Sequence, residues 1–136
     1  MSQRVFVNLP VKDLKRTKKF YAELGYSFDP RFSDDTAAAL KLDEDNTAML
    51  LTHEKFKSFS DKPIPDPRVT VGVSVALRFD SKAEVDAIMK KALAAGGEEP
   101  RPTSDYGFMY QRTFADPDGH RWEPFWFDPA AMPPHS

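Results

Sequence analysis

Residues 4–25 read RVFVNLPVKDLKRTKKFYAELG, and their pattern sets the fold. Val5, Val7, Leu9 and Val11 alternate with Arg4, Phe6, Asn8 and Pro10, the period-two signature of a strand with one strongly apolar face. Asp13 then offers an acceptor for the unpaired N–H groups of a helix start. Leu14, Thr17, Phe20, Tyr21 and Leu24 recur at helical spacing, with Lys12, Lys15, Arg16, Lys18 and Lys19 mostly on the other side. Solvent alone accounts for that basic stripe. Gly25 follows, where a glycine ends a helix. Residues 71–97 repeat the plan. Val71, Val73, Val75, Leu77 and Phe79 alternate with Gly72, Ser74, Ala76 and Arg78, and Ser81 with Glu84 makes a capping box. Val85, Ile88, Met89, Ala92 and Leu93 form the helical stripe, closed by Gly96 and Gly97.

Further strand-like pieces complete each half. In the first they are 26–32, 36–42 and 47–52, broken by the turn-rich runs 33–35 and 43–46. In the second they are 98–101, 108–114 and 120–127, the last two joined by Ala115-Asp116-Pro117-Asp118-Gly119, which has hairpin-turn chemistry. The opening strands end 68 residues apart, at Val11 and Phe79, and the helices 71 apart, at Gly25 and Gly96. The expected class is therefore α+β, as two β-α-β-β-β modules. Module one covers 3–53, a proline-stiffened linker 54–69, module two 70–128 and a tail 129–136, all within a single domain. Paired side by side, the modules would form a curved, trough-like mixed sheet with the helices on its convex face. Alternation then assigns Phe6, Asn8, Pro10, Ala48, Leu50 and Thr52 to the trough from the first module. From the second it assigns Ser74, Ala76, Arg78, Arg121, Glu123, Phe125 and Phe127. Val5, Val7, Leu9, Met49, Leu51, Val73, Val75, Leu77, Trp122 and Trp126 fall on the convex side. A one-residue slip in any strand exchanges its two sets.

Composition narrows the function classes. The chain has 136 residues, 40% hydrophobic and 29% charged, as expected of a soluble globular domain. No apolar run approaches the roughly 18 residues of a membrane helix. A net charge of −2 provides no basic field for nucleic acid or for an anionic membrane. The absence of cysteine excludes disulfides, zinc–thiolate centres, iron–sulfur clusters and thiol catalysis. The opening MSQRVFVNLPV lacks a signal-peptide pattern, so a cytoplasmic location is expected. Twelve prolines enforce turns and edges, and 11 phenylalanines point to a dense core or an apolar ligand cavity.

Two stretches carry a family resemblance. NLPVKDLKRTKKFYAELGY, at 8–26, resembles the opening strand and helix of the vicinal oxygen chelate superfamily, which includes glyoxalases, bleomycin resistance proteins and dioxygenases; the pattern there is V-x-D, F-Y and L-G. FADPDGHRWE, at 114–123, resembles that superfamily's closing hairpin, DPDG-x-x-x-E. The chain is most similar to the bacterial glyoxalase-related proteins of the group. The resemblance implies paired modules, a trough-shaped site and a homodimer. In many members four side chains, two per module, hold a divalent metal that chelates vicinal substrate oxygens or binds dioxygen beside a catechol. Carried over, those positions fall on Phe6, Leu50, Ser74 and Glu123. Only Glu123 retains a ligand side chain, and one carboxylate does not retain a divalent ion against water. No cofactor is therefore expected. The fallback for a divalent metal is an Asn8–His53–Glu123 set, which needs a bulge or strand end at His53.

Glu123 has two readings. Among apolar neighbours it is a candidate catalytic acid/base; paired with Arg78 or Arg121 it is structural. Asp116 and Asp118 are expected to form their turn, and His53 and His120 to make ordinary backbone bonds. His135, in the tail, is expected to be exposed. The run 105–110, DYGFMY, offers Tyr106 and Phe108 to a flat ligand or to packing. The expected ligand-binding set is Phe6, Asn8, Leu50, Thr52, Ser74, Arg78, Tyr106, Phe108, Arg121 and Phe125. These residues suit metal-free binding of a small, partly aromatic molecule. The alternative is a glyoxalase-type lyase, isomerase or dioxygenase with a re-sited metal or Glu123 as acid/base.

Overall fold

The structure is a computed structural model that describes residues 3–131, so His135 and most of the tail lie outside the described residues. The chain divides into two compact units between Asp66 and Pro67. The first contains β1 (Val5–Val11), α1 (Leu14–Glu23), β2 (Ser27–Phe28), a 3-10 turn (Pro30–Phe32), β3 (Ala37–Lys41), β4 (Asn46–Thr52) and α2 (His53–Lys57). Its sheet runs β1-β4-β3-β2, with β1 parallel to β4 and the other pairs antiparallel. The caps are local and follow the sequence. Asp13 accepts from the Arg16 N–H at 3.2 Å, and Gly25 takes a φ of 98°. α1 packs on β3 and β4 through Leu14, Thr17, Phe20 and Tyr21.

Register fixes which face each strand residue occupies. Val7 lies beside Ala48, Leu9 beside Leu50 and Val11 beside Thr52; across β3, Leu50 meets Ala38 and Ala48 meets Leu40. Leu9, Val11, Ala38, Leu40, Ala48 and Leu50 are all buried and form the core of this unit. The parity expected for β4 is thus off by one. Leu50 belongs with Leu9 on the covered face, while Met49 sits with Asn8 and Leu51 with Pro10. The run Ala48-Met49-Leu50-Leu51 is apolar on both faces, so alternation carries no information there.

The second unit contains β5 (Ser74–Arg78), α3 (Lys82–Ala94), β6 (Ser104–Asp105), β7 (Met109–Gln111), β8 (Phe114–Ala115) and β9 (Arg121–Phe127). β5 runs parallel to β9, the order is β5-β9-β7-β6, and β8 also pairs with β9. Ser81 accepts from the Glu84 N–H at 3.1 Å; the Glu84 carboxylate reaches back to the Asp80 N–H at 2.8 Å rather than to the N–H of Ser81. Trp122 and Phe114 stack at 6.3 Å between centroids, α3 packs on their strands, and both rings are wholly or nearly buried, as are Val85 and Met89 of α3. Residues 98–101 do not form the expected strand. Only Glu98 bridges Ala115, because Pro100 and Pro102 lack the N–H donors a ladder needs. The expected strand over 26–32 likewise stops at Phe28, where Asp29 caps a turn begun by Pro30. Leu93, expected in the helical stripe, is exposed. The architecture is α+β, with two open mixed sheets. Among the described residues no helix is long and apolar enough to cross a membrane.

Candidate ligand-binding faces

The uncovered face of the first sheet is built in rows. Phe6, Thr47, Lys41 and Ser27 lie side by side across β1, β4, β3 and β2. The next row holds Asn8, Met49 and Ala39, and the Asp29 N–H donates to the Ala39 carbonyl at 2.9 Å. The first row, with Ala39 of the second, floors a cleft of about 560 Å³ whose walls include Arg4, Arg31, Phe32, Asp43 and Glu44. Phe6 and Phe32 meet edge to face at 6.5 Å. The Arg31 guanidinium forks onto the Asp29 carboxylate at 3.1 and 2.7 Å and lies 5.4 Å from the Phe32 ring centre. The hydrogen bonds from the Arg31 side chain and then its backbone pull the Asp29 carboxyl down to about 2. Asp43 is engaged in its own turn, accepting from the Asp45 and Asn46 N–H groups and the Asn46 amide.

In the second sheet, Ser74, Ala76 and Arg78 lie beside Arg121, Glu123 and Phe125, as alternation predicts. Gln111 lies beside Phe125 and Met109 beside Phe127. The Arg78 guanidinium sits 4.4 Å from the Phe127 ring centre, and Phe125 and Phe127 stack at 6.1 Å. Glu123 is half-buried and, among the described residues, makes no hydrogen bond or ion pair. Arg78, one of its two candidate partners, is spent on Phe127. A carboxylate so placed can accept a ligand hydrogen bond or exchange a proton. Tyr106 and Phe108 stack at 6.3 Å around Gly107, at the tip of the β6–β7 hairpin. Asp116 accepts from the Asp118 and His120 N–H groups, the turn-forming role expected of it.

Phe6 and Asn8 thus share one open face, and Ser74, Arg78, Arg121, Glu123 and Phe125 another. Leu50 and Thr52 do not join the first. Leu50 is wholly buried, and Thr52 lies in its row beside Val11 and caps α2, accepting from the Lys55 N–H. His53 lies one residue beyond that row, where β4 has ended and α2 begins. The cleft residues Ser27, Asp29, Arg31, Phe32, Lys41 and Thr47 escaped sequence reading. The Asp-Pro-Arg-Phe run at 29–32, read as strand, was the available signal, since Asp before Pro favours a turn.

The positions at which the resemblance would place metal donors do not fit a divalent ion. Phe6 offers no lone pair, Leu50 is buried in the core, and Ser74 carries a neutral hydroxyl. Among the described residues no three His, Cys, Asp or Glu side chains gather closely enough to hold one.

Comparison with known proteins agrees with this architecture. A hypothetical protein from S. aureus superposes with a TM-score of 0.78 at 24% identity, covering 93% of this chain and 94% of the other. A glyoxalase-related enzyme from Fulvimarina pelagi gives 0.77 at 22% identity, covering 93% and 88%. The bleomycin resistance determinant encoded on the transposon Tn5 gives 0.66 at 22% identity, covering 93% and 99%. At these identities the likeness shows the fold. No curated protein matches the sequence. The family profile described as Glyoxalase/Bleomycin resistance protein/Dioxygenase superfamily matches residues 4–123, and the chain belongs to that superfamily.

Proposed function

We propose that the protein binds a small, partly aromatic molecule without a metal. The observation that carries this reading is the cleft on the open face of the first sheet. Its volume of about 560 Å³ lies within the usual range for small-molecule sites, and its wall joins two phenylalanines to a few fixed polar groups. A benzyl side chain at Phe6, where the superfamily pattern places a metal donor, favours contact with a ring over chelation. The exposed Val5, Val69, Val71 and Val73 support a homodimer, and the protein is proposed to act in the cytoplasm. Thermal shift against a panel of aromatic metabolites and drugs tests the reading. A ligand present at 100 times its Kd stabilises by about 2.7 kcal/mol, and Phe6→Ala should remove the shift. A panel that leaves Tm unmoved throughout would exclude it.

The unpartnered Glu123 favours a second reading, a glyoxalase-type lyase or isomerase in which this carboxylate moves a proton. Turnover of a methylglyoxal–thiol hemithioacetal that disappears in Glu123→Gln would establish it. Turnover unchanged in that variant would exclude Glu123.

A further inference from the structure

The charged groups around the cleft are not equivalent. Arg31 is held by Asp29 through both arms of its fork, and Arg4 lies 3.8 Å from Asp45. Asp29 gives both oxygens to Arg31, and Asp43 is used up by its own turn. Lys41 differs. Among the described residues it makes no hydrogen bond or ion pair, although its charge is felt by Asp29. It stands in the floor row, with Thr47 on one neighbouring strand and Ser27 on the other. Strand spacing puts the backbones of these two hydroxyl residues about 5 Å from its own on either side. A lysine with a hydroxyl residue on each side supplies donors along one row of the same cleft. At the far end of that row stands Phe6, braced by Phe32. The row therefore runs from aromatic to cationic over two strand spacings, about 10 Å, or somewhat less between side-chain tips that lean together. Glu44 also borders the cleft, but from the turn after β3 and not from the floor.

We infer that this cleft takes a small aromatic carboxylate, its ring against Phe6 and Phe32 and its anion at Lys41 between the hydroxyls of Thr47 and Ser27. The inference rests on the small-molecule reading above and specifies the ligand's charge. A charge-assisted hydrogen bond to an ammonium discriminates strongly against a cation in the same place.

The test uses two probes with the same ring and opposite charge, phenylacetate and phenethylamine, titrated by NMR into the full chain and into Lys41→Gln and Glu44→Gln. Phenylacetate should shift amides of β1, β3 and β4 and bind at least tenfold more tightly than phenethylamine. Lys41→Gln should weaken phenylacetate about tenfold, the scale of one lost charged hydrogen bond, and Glu44→Gln, which removes a carboxylate from the cleft wall, should not weaken it. Both substitutions are on exposed side chains, and an unchanged Tm would show that each variant folds. Equal or tighter binding of phenethylamine, or indifference to Lys41→Gln, would overturn the charge assignment while leaving small-molecule binding intact. So would failure of both probes when other aromatic compounds stabilise the protein. Failure of every aromatic compound would remove both readings.

Discussion

Gly119 ends the DPDG turn with a φ of 97°, a conformation that costs an L-residue roughly 1–2 kcal/mol. A Cβ there would also stand 2.9 Å from the Arg68 side chain, 3.0 Å from its backbone nitrogen and 3.1 Å from the Pro67 carbonyl carbon. The side chain can swing away; the backbone cannot do so cheaply. Gly107 has a similar φ of 80°, but an added Cβ would meet nothing within 4 Å. The pair separates conformational strain from crowding. Gly119→Ala should destabilise by about 2–4 kcal/mol and Gly107→Ala by about 1 kcal/mol, read from urea midpoints at constant m. Equal losses would mean that the approach of residues 67–68 to the turn contributes nothing. The glycine was legible as a turn residue from DPDG alone. The crowding was not, because it comes from a segment 51 residues earlier in the chain.

At the scale of elements, Arg112 is the centre of a polar network that reaches α3. Arg112 places Nε and one terminal nitrogen on Glu99 at 2.9 Å each and the other on Asp86 of α3 at 2.9 Å; the Tyr110 hydroxyl donates to the same Asp86 carboxylate at 2.6 Å. Glu99 raises the Arg112 pKa further, so the guanidinium is always charged. The Tyr110 hydrogen bond, followed by that of Arg112, lowers the Asp86 carboxyl. Arg112→Ala should destabilise by about 2 kcal/mol, with Arg112→Lys recovering only part because it loses the fork. The sign of the pH effect follows from the lowered Asp86. Its contribution is complete above the ordinary carboxylate range and fades as pH falls through the depressed value, so wild type and Arg112→Ala should converge in acid. Urea melts at neutral and acid pH check both. A gap that widens in acid would contradict the pairing. Helix ends could be read in the sequence because caps are made by neighbours, as at Asp13, Ser81, Gly25 and Gly96. The parity of β4 could not, since both of its faces carry apolar side chains, nor could the cleft, since its rows join residues from four strands whose register only the folded sheet defines.

For the whole molecule, superfamily membership was legible because two motifs at opposite ends of the chain impose backbone turns and helix starts that tolerate little variation. The chemistry at the site is less constrained by the fold, because exchanging a ligand side chain for an apolar one leaves the strand beneath it intact. Phe6 on β1 illustrates this: it occupies the row position beside Thr47 with no distortion of the β1–β4 ladder. A metal site made of several deprotonated donors would stabilise the folded chain through binding free energy. At a metal concentration of 100 times Kd the gain would be about 2.7 kcal/mol, several degrees in Tm for a chain of this size. With Glu123 the sole donor among the positions concerned, nickel, zinc and manganese should each move Tm by less than about 1 °C, chelator treatment should not lower it, and Glu123→Gln should respond identically. Differential scanning fluorimetry with elemental analysis of chelator-free protein measures this. A rise of several degrees that vanishes in Glu123→Gln would mean that donors outside the superfamily positions converge on this carboxylate, and the ligand would then be held by chelation.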